Sequence, residues 1–131
     1  MSDECRMSEA CVGGISQQLQ ERTRHFALRV IKMVQALPRS SVSEVIGKQV
    51  LRSATSVGAN YRAACRARSK KEFIAKLGIV IEEADESIYW IQLVVDAGLM
   101  SPKQVSLLEK EAEEILSMIV ASVKTAKGVR R

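Results

Sequence analysis

Basic side chains form the most conspicuous chemical pattern in this sequence. At about 100° per residue in an α-helix, the basic residues of the segment 42–67 fall within about 80° of arc, opposite that segment's apolar face; they are Lys48, Arg52, Arg62 and Arg66. Arg68, Lys70 and Lys71 follow them directly. Charged, forked donors along one helix face are what contact with phosphate groups requires. An ordinary solvated face, or arginines paired with acids of a neighbouring helix, would produce the same pattern.

A second group consists of the carboxylates Glu82, Glu83, Asp85 and Glu86. Carboxylates inside a helix bundle can hold a di-iron centre, but such a centre needs Glu-x-x-His pairs on two helices. The only histidine, His25, has no acid three residues before it, so we expect no metal and no cofactor. A hairpin turning at residues 68–69 would instead bring Arg52 level with Glu86. This register predicts an ion pair between helices or between subunits.

Candidate nucleophiles are scarce. Cys65 lies near the apolar side of its segment and is more typical of a small buried residue than of a catalytic thiol. Together with Cys5 and Cys11 it makes an odd count without a CxxC pair, which favours a reducing compartment. The N-terminus lacks the features of a signal peptide, and no apolar run is long enough to span a membrane. We therefore expect a soluble cytoplasmic protein without catalytic residues.

Four segments with helical periodicity position these groups, and we predict helices at 17–37, 42–67, 70–97 and 102–127. Three S-x-x-E/Q capping boxes, which begin at Ser41, Ser69 and Ser101, mark helix starts. Pro38 and Gly98 mark helix ends. Connections of about three to five residues force consecutive helices to be antiparallel. The predicted fold is one all-α domain, an up-down-up-down four-helix bundle at 17–127, with a flexible leader at 1–16 and a basic tail at 128–131.

Each predicted helix has an apolar face that can form the core. The four faces are Phe26, Ala27, Val30, Ile31, Val34 and Leu37; Ile46, Val50, Ala54, Val57, Tyr61 and Ala64; Phe73, Leu77, Val80, Ala84, Ile88, Ile91 and Val95; and Val105, Leu108, Ala112, Ile115, Ile119 and Val123. Gly58 stands in mid-helix, where it costs roughly 1 kcal/mol relative to alanine. That cost indicates that another element approaches Gly58 closely.

The third predicted helix also has a second apolar face. Its members lie away from the core face and alternate with acids; they are Ile79, Tyr89, Trp90 and Leu93, interleaved with Glu82 and Glu86. A helix with two apolar faces lies centrally in its bundle or packs against another chain, and aromatic residues such as Trp90 often anchor interfaces. We interpret these six residues as an oligomer interface.

The stretch from Gln49 to Met100 resembles the four-helix-bundle family encoded in 23S rRNA intervening sequences. The resemblance extends over about residues 19–127. The parts that carry it are Gln49 to Asn60, Arg66 to Ser69, Phe73, the acids from Glu82 to Glu86, and Tyr89-Trp90. It implies a ring-like homopentamer, no established enzymatic activity, and a suspected role in nucleic-acid binding. It also implies a distant relation to the accessory proteins of diversity-generating retroelements.

The function that these features favour is non-enzymatic binding. The net charge is +5 with a pI near 9.3, which suits an anionic partner. The leading hypothesis is a homo-oligomeric module that contacts RNA or DNA phosphates. Few aromatic side chains are available for stacking, so such a module would bind backbone and shape more than bases. The alternative is a scaffold or assembly factor whose basic face binds an acidic protein.

Overall fold

The computed structural model describes residues 14–128, which fold into four α-helices joined by short turns. The helices are α1 (Ile15–Gln35), α2 (Ser41–Cys65), α3 (Lys70–Asp96) and α4 (Pro102–Ala126). Each packs antiparallel against the next, and α1 contacts α4 more sparsely than consecutive helices contact each other. The predicted up-down-up-down bundle is confirmed. Most of the predicted leader and the end of the predicted tail lie outside the described residues.

The helix starts use serine caps, although one differs from the prediction. Ser101 and Gln104 form the complete reciprocal box, and the Ser69 hydroxyl accepts from the Glu72 backbone N–H at 3.1 Å. The cap of α2 is Ser40 rather than Ser41, because the Ser40 hydroxyl is the one that accepts from the Ser43 N–H. Two overlapping serines offered alternative caps, and only the backbone conformation selects between them.

The end of α3 follows the predicted glycine stop. Gly98 has a φ of 76°, a left-handed conformation that costs glycine little. Its N–H donates to the Val95 carbonyl, and the Leu99 N–H donates to the Val94 carbonyl. These two bonds form a Schellman motif, which satisfies carbonyls that the helix end would otherwise leave unpaired.

The four predicted apolar faces converge on one core. Its most deeply buried large side chains include Leu19, Phe26, Val50, Tyr61, Leu77, Ile91 and Ile115. Each fully buried residue of this size contributes about 1.5–3 kcal/mol. The assignments differ from the structure in two helices. In α3, Val94 is fully buried and Val95 only partly, because the face of a helix 27 residues long drifts relative to a regular spacing of threes and fours. In α1, Leu19 and Met33 are buried although the predicted face omitted them, whereas Ile31 is only partly buried.

Small residues set the spacing between helices. A Cβ on Gly58 would lie 3.3 Å from Thr23 Oγ1 and 3.5 Å from the Thr23 carbonyl carbon, so the predicted close approach is confirmed, with α1 as the neighbour. On the other side of α2, the buried Ser87 hydroxyl donates to Ser53 Oγ at 3.0 Å. Ser87 Oγ also lies 2.8 Å from the carbonyl oxygen of Glu83. These contacts define the register of α2 against both neighbours.

Candidate nucleic-acid interface

Arg52 is placed on the exposed side of α2 and is engaged within the chain. Its Nη2 lies 2.7 Å from Glu86 Oε2 and 3.3 Å from Glu83 Oε1, both on α3. The pairing with Glu86 predicted from the hairpin register is confirmed, and it lies between helices of one chain. Because two carboxylates already neutralise this guanidinium, Arg52 differs from the other members of the basic face.

Trp90 of α3 is hydrogen-bonded to the Arg52–Glu86 ion pair. Trp90 Nε1 donates to Glu86 Oε2 at 3.0 Å, and the Trp90 ring meets the Tyr89 ring edge-on with 5.0 Å between centroids. The pKa of Glu86 lies below its ordinary value, first because of the Trp90 hydrogen bond and then because of the Arg52 hydrogen bond. Trp90 therefore serves an intrachain network and is itself partly buried.

Arg62 and Arg66 are neighbours on the basic face of α2. They are one helical turn apart, about 6 Å along the axis, and both are exposed. Neither forms an ion pair with any residue from 14 to 128. Lys48 is equally exposed but lies about 21 Å from Arg62 along α2, where it borders a separate groove with Arg39 and Glu44.

The structure adds a third arginine that the sequence pattern did not single out. A groove of about 520 Å³ runs between α1 and α2, with Arg62 and Arg66 on one wall and Arg24 on the other. Gly58 and Ala59 line it from α2. The helical wheel of α1 places Arg24 outside the core face, but it does not show which neighbouring helix Arg24 lies beside. Only the packing of α1 on α2 joins the three arginines.

The other predicted cations do not extend this groove. Arg68 is exposed in the turn between α2 and α3, and Lys71 is exposed in the first turn of α3. The Arg68 backbone N–H donates to Glu72 Oε1 at 3.2 Å. Lys70 lines a different cavity, about 480 Å³ and mostly apolar, with Ile15, Phe73 and Met118. The predicted cations from Lys48 to Lys71 therefore do not all border one groove, because the turn after Cys65 directs Lys70 towards α1 and α4.

Acidic residues are distributed unequally over the bundle. In α1 and α2 the acids are Glu21 and Glu44, whereas every other acid of the described range lies in α3 or α4. Arg22 of α1 is held by two acids of α4: Nη2 lies 2.6 Å from Glu111 Oε1 and 2.8 Å from Glu114 Oε1. These hydrogen bonds, first from Glu111, raise the arginine pKa. The outer surface of α1 and α2 is consequently the electropositive side.

The predicted subunit-contact residues remain partly exposed in the single chain. Ile79 is 40% exposed and Tyr89 is 55% exposed, while Leu93 and Trp90 pack partly against the core. Glu82 is exposed. The register set by Arg52–Glu86 and Ser53–Ser87 also brings Val45, which is 61% exposed, to the level of Leu93. Val45 escaped the sequence analysis because its exposure depends on where α2 meets α3.

Metal binding, membrane insertion and cysteine chemistry depend on other features of residues 14–128. No cluster of three metal-ligating side chains occurs among them, and none of the described helices is both long and apolar enough to cross a membrane. Cys65 is buried, with its Sγ 2.9 Å from Ser16 Oγ, which confirms its predicted place beside the core. Cys5 and Cys11 lie outside the described residues.

Comparison with known proteins agrees with the fold. The sequence model of a family described as 23S rRNA-intervening sequence protein matches residues 16–121. A crystal structure from Bacteroides thetaiotaomicron VPI-5482, described as a protein with unknown function from the S23 ribosomal protein family, is 32% identical with a TM-score of 0.76. The similarity covers 81% of this chain and 98% of that one. No curated protein matches the chain.

Proposed function

The chain belongs to the family of 23S rRNA-intervening sequence proteins, and from this premise we propose that it is a cytoplasmic, non-enzymatic, homo-oligomeric module that binds the phosphate backbone of RNA or DNA. The basic face of α2 supplies the contacts. Arg62 and Arg66 contribute most, whereas Arg52 contributes less because its charge is neutralised within the chain.

One observation carries the proposal: Arg62 and Arg66 are adjacent and exposed, and they have no carboxylate partner in the described range. Two other arginines, Arg22 and Arg52, instead form ion pairs with acids of a neighbouring helix. Exposed guanidinium groups kept without such a partner retain their full charge and forked donors for an anion. Phosphates are suitable anions, because their oxygens accept hydrogen bonds from forked donors and their neutralisation releases condensed counterions.

The charge distribution supports the same assignment. With acids concentrated on α3 and α4, an approaching polyanion is attracted to α1 and α2 and repelled from the opposite side. The proposal places subunit contacts away from this surface, at Ile79, Tyr89 and Leu93 of α3 with Val45 of α2. A homopentamer, the assembly implied by the family resemblance, would repeat the basic face around a ring and increase the avidity for a long polyanion.

Salt-dependent binding measurements test the proposal. A fluorescent oligonucleotide is titrated with the wild-type protein and with the double variant Arg62→Ala/Arg66→Ala, over a series of NaCl concentrations. The log-affinity against log-salt slope should flatten by roughly 0.7–0.9 for each phosphate that the variant no longer neutralises. A matched control, Lys103→Ala/Lys110→Ala, removes the same charge from exposed positions on α4 and should leave the slope nearly unchanged.

Light scattering and circular dichroism must show equal mass and helicity for all three proteins, so that a changed slope reports on phosphate binding and not on folding. A wild-type protein that does not bind RNA or DNA at physiological salt contradicts the proposal. That result would favour the alternative function, a scaffold or assembly factor whose basic face binds an acidic protein.

A further inference from the structure

The groove between α1 and α2 differs from a flat basic surface. It is concave, and cationic side chains stand on both walls: Arg24 on α1 and the pair Arg62 and Arg66 on α2. Its volume of about 520 Å³ is within the range of sites that enclose ligands of nucleotide size. Within residues 14–128, none of these three arginines has an ion-pair partner.

Small side chains give the groove its depth. Gly58 and Ala59 lie between the two walls, and Gly58 is packed directly against Thr23 of α1. A larger side chain at either α2 position would fill the space between the arginines. The close crossing that brings the helices together at Gly58 therefore also creates the concavity.

Neutral hydrogen-bonding groups also line the groove. Gln17 and Gln20 on α1 present amides, and Thr55 on α2 presents a hydroxyl. The Thr55 hydroxyl donates to the Leu51 carbonyl at 2.7 Å, so its oxygen is left as an acceptor. Amides can donate to and accept from the Watson–Crick edges of bases, and those edges are accessible only when a strand is unpaired.

We propose that this groove holds a single-stranded segment of nucleic acid, with its backbone phosphates between Arg24 on one wall and Arg62 and Arg66 on the other. The inference rests on the proposed function and specifies its ligand. Proteins that read duplexes usually insert a protruding helix or ribbon into the major groove. Here the arginines border a recess between two packed helices, which accepts one strand and not the width of a duplex.

Glu21 is the one carboxylate among the residues lining this groove in the described range. A bound phosphate would be repelled by it, so its removal should improve binding. The other acid of α1 and α2, Glu44, lies near the far end of α2. Glu21→Gln and Glu44→Gln change the net charge equally, but only Glu21 lines this groove.

The experiment uses fluorescence anisotropy of a labelled 12-nucleotide single strand and of the same strand annealed to its complement. We expect the single strand to bind at least about tenfold more tightly at equal salt, because only it enters the recess. Arg24→Ala should weaken single-strand binding about tenfold, because it removes one charge-assisted hydrogen-bonding group. Arg29→Ala removes the same side chain from the α1 flank that faces α4, and it should change affinity less than about twofold.

Glu21→Gln should tighten single-strand binding about two- to fivefold, and Glu44→Gln should have a smaller effect. This gain of affinity requires a folded protein, so it tests the groove even if an arginine variant is damaged. Equal affinity for single strand and duplex, with Arg24→Ala behaving as Arg29→Ala, overturns the groove assignment and leaves the proposed function standing. Absence of binding to either probe overturns both.

Discussion

Arg52 of α2 and Glu86 of α3 are joined by a contact of 2.7 Å across the exposed side of the bundle. Glu83 accepts from the same guanidinium, and Trp90 donates to the same Glu86 oxygen. The Arg52 side chain is 51% exposed and that of Glu86 36%. This network therefore links two helices in a setting where water still screens the charges.

A double-mutant cycle measures how strongly this pair couples. We expect Arg52→Ala and Glu86→Ala to show a coupling free energy below about 1 kcal/mol in urea unfolding, because both groups are partly hydrated in the folded state. A parallel cycle between Arg52 and Glu82, an exposed acid of the same helix as Glu86, is the control and should show almost no coupling. Coupling of several kcal/mol would mean that the pair is buried, for example by another subunit.

The stability conferred by ionised Glu86 should depend on pH. Its folded pKa is lowered below the ordinary value of 4.5 by Trp90 and Arg52, so the folded state favours the carboxylate. This contribution is fully present above pH 4.5 and disappears as pH falls through the lower folded pKa. The difference in unfolding free energy between wild type and Glu86→Gln should therefore shrink as the pH falls below about 4.5. A difference that stays constant down to about pH 2.5 would show that Glu86 has an ordinary pKa.

The contact between α1 and α4 should depend on Arg22. The fork of this arginine holds Glu111 through Nε at 3.0 Å and Nη2 at 2.6 Å, and these two helices share few other contacts. Arg22→Ala should cost about 1–3 kcal/mol of unfolding free energy. Arg22→Lys should be intermediate, because lysine keeps the charge but lacks the fork. Arg29→Ala, on the same helix, should change stability by less than about 0.5 kcal/mol; an equal destabilisation there would contradict the assignment.

Two mid-helix glycines should respond oppositely to alanine. A Cβ on Gly78 meets no atom within 4 Å, so Gly78→Ala should gain about 0.5–1 kcal/mol from helix propensity. At Gly58 the new Cβ meets Thr23, which is 1% exposed and whose hydroxyl is bonded to the Gln20 carbonyl. Gly58→Ala should therefore gain much less or lose stability. Thermal unfolding compares the two, and equal gains would show that α1 and α2 can separate slightly without cost.

Subunit assembly should depend on the apolar surface shared by α2 and α3. Light scattering of the wild-type protein is expected to give several times the chain mass of 14.5 kDa. Tyr89→Glu and Val45→Glu place a charge where another chain would exclude water, and they should shift the mass towards that of the monomer. Leu107→Glu, at a position 71% exposed on α4, should leave the mass unchanged. A wild-type monomer at micromolar concentration would refute the proposed assembly.

Much of the fold was predictable because its signals are local. Helical spacing of apolar residues, proline and glycine stops and serine caps act within a few positions of the chain. Short turns then leave antiparallel packing as the only possibility, and the hairpin register brought Arg52 to Glu86. The differences are equally local, and they include the cap at Ser40 in place of Ser41 and Val94 in place of Val95.

The candidate site was only half predictable. A helical wheel shows which side chains share a face of one helix, but it does not show which residues of a neighbouring helix lie beside that face. The sequence by itself determined that Lys48, Arg52, Arg62 and Arg66 share one face of α2. Only the tertiary structure separated Arg52 from them, by placing Glu83 and Glu86 beside it. Only the tertiary structure brought Arg24 opposite Arg62 and Arg66, because the distance between two helices depends on the size of the side chains where they cross, here Gly58 against Thr23.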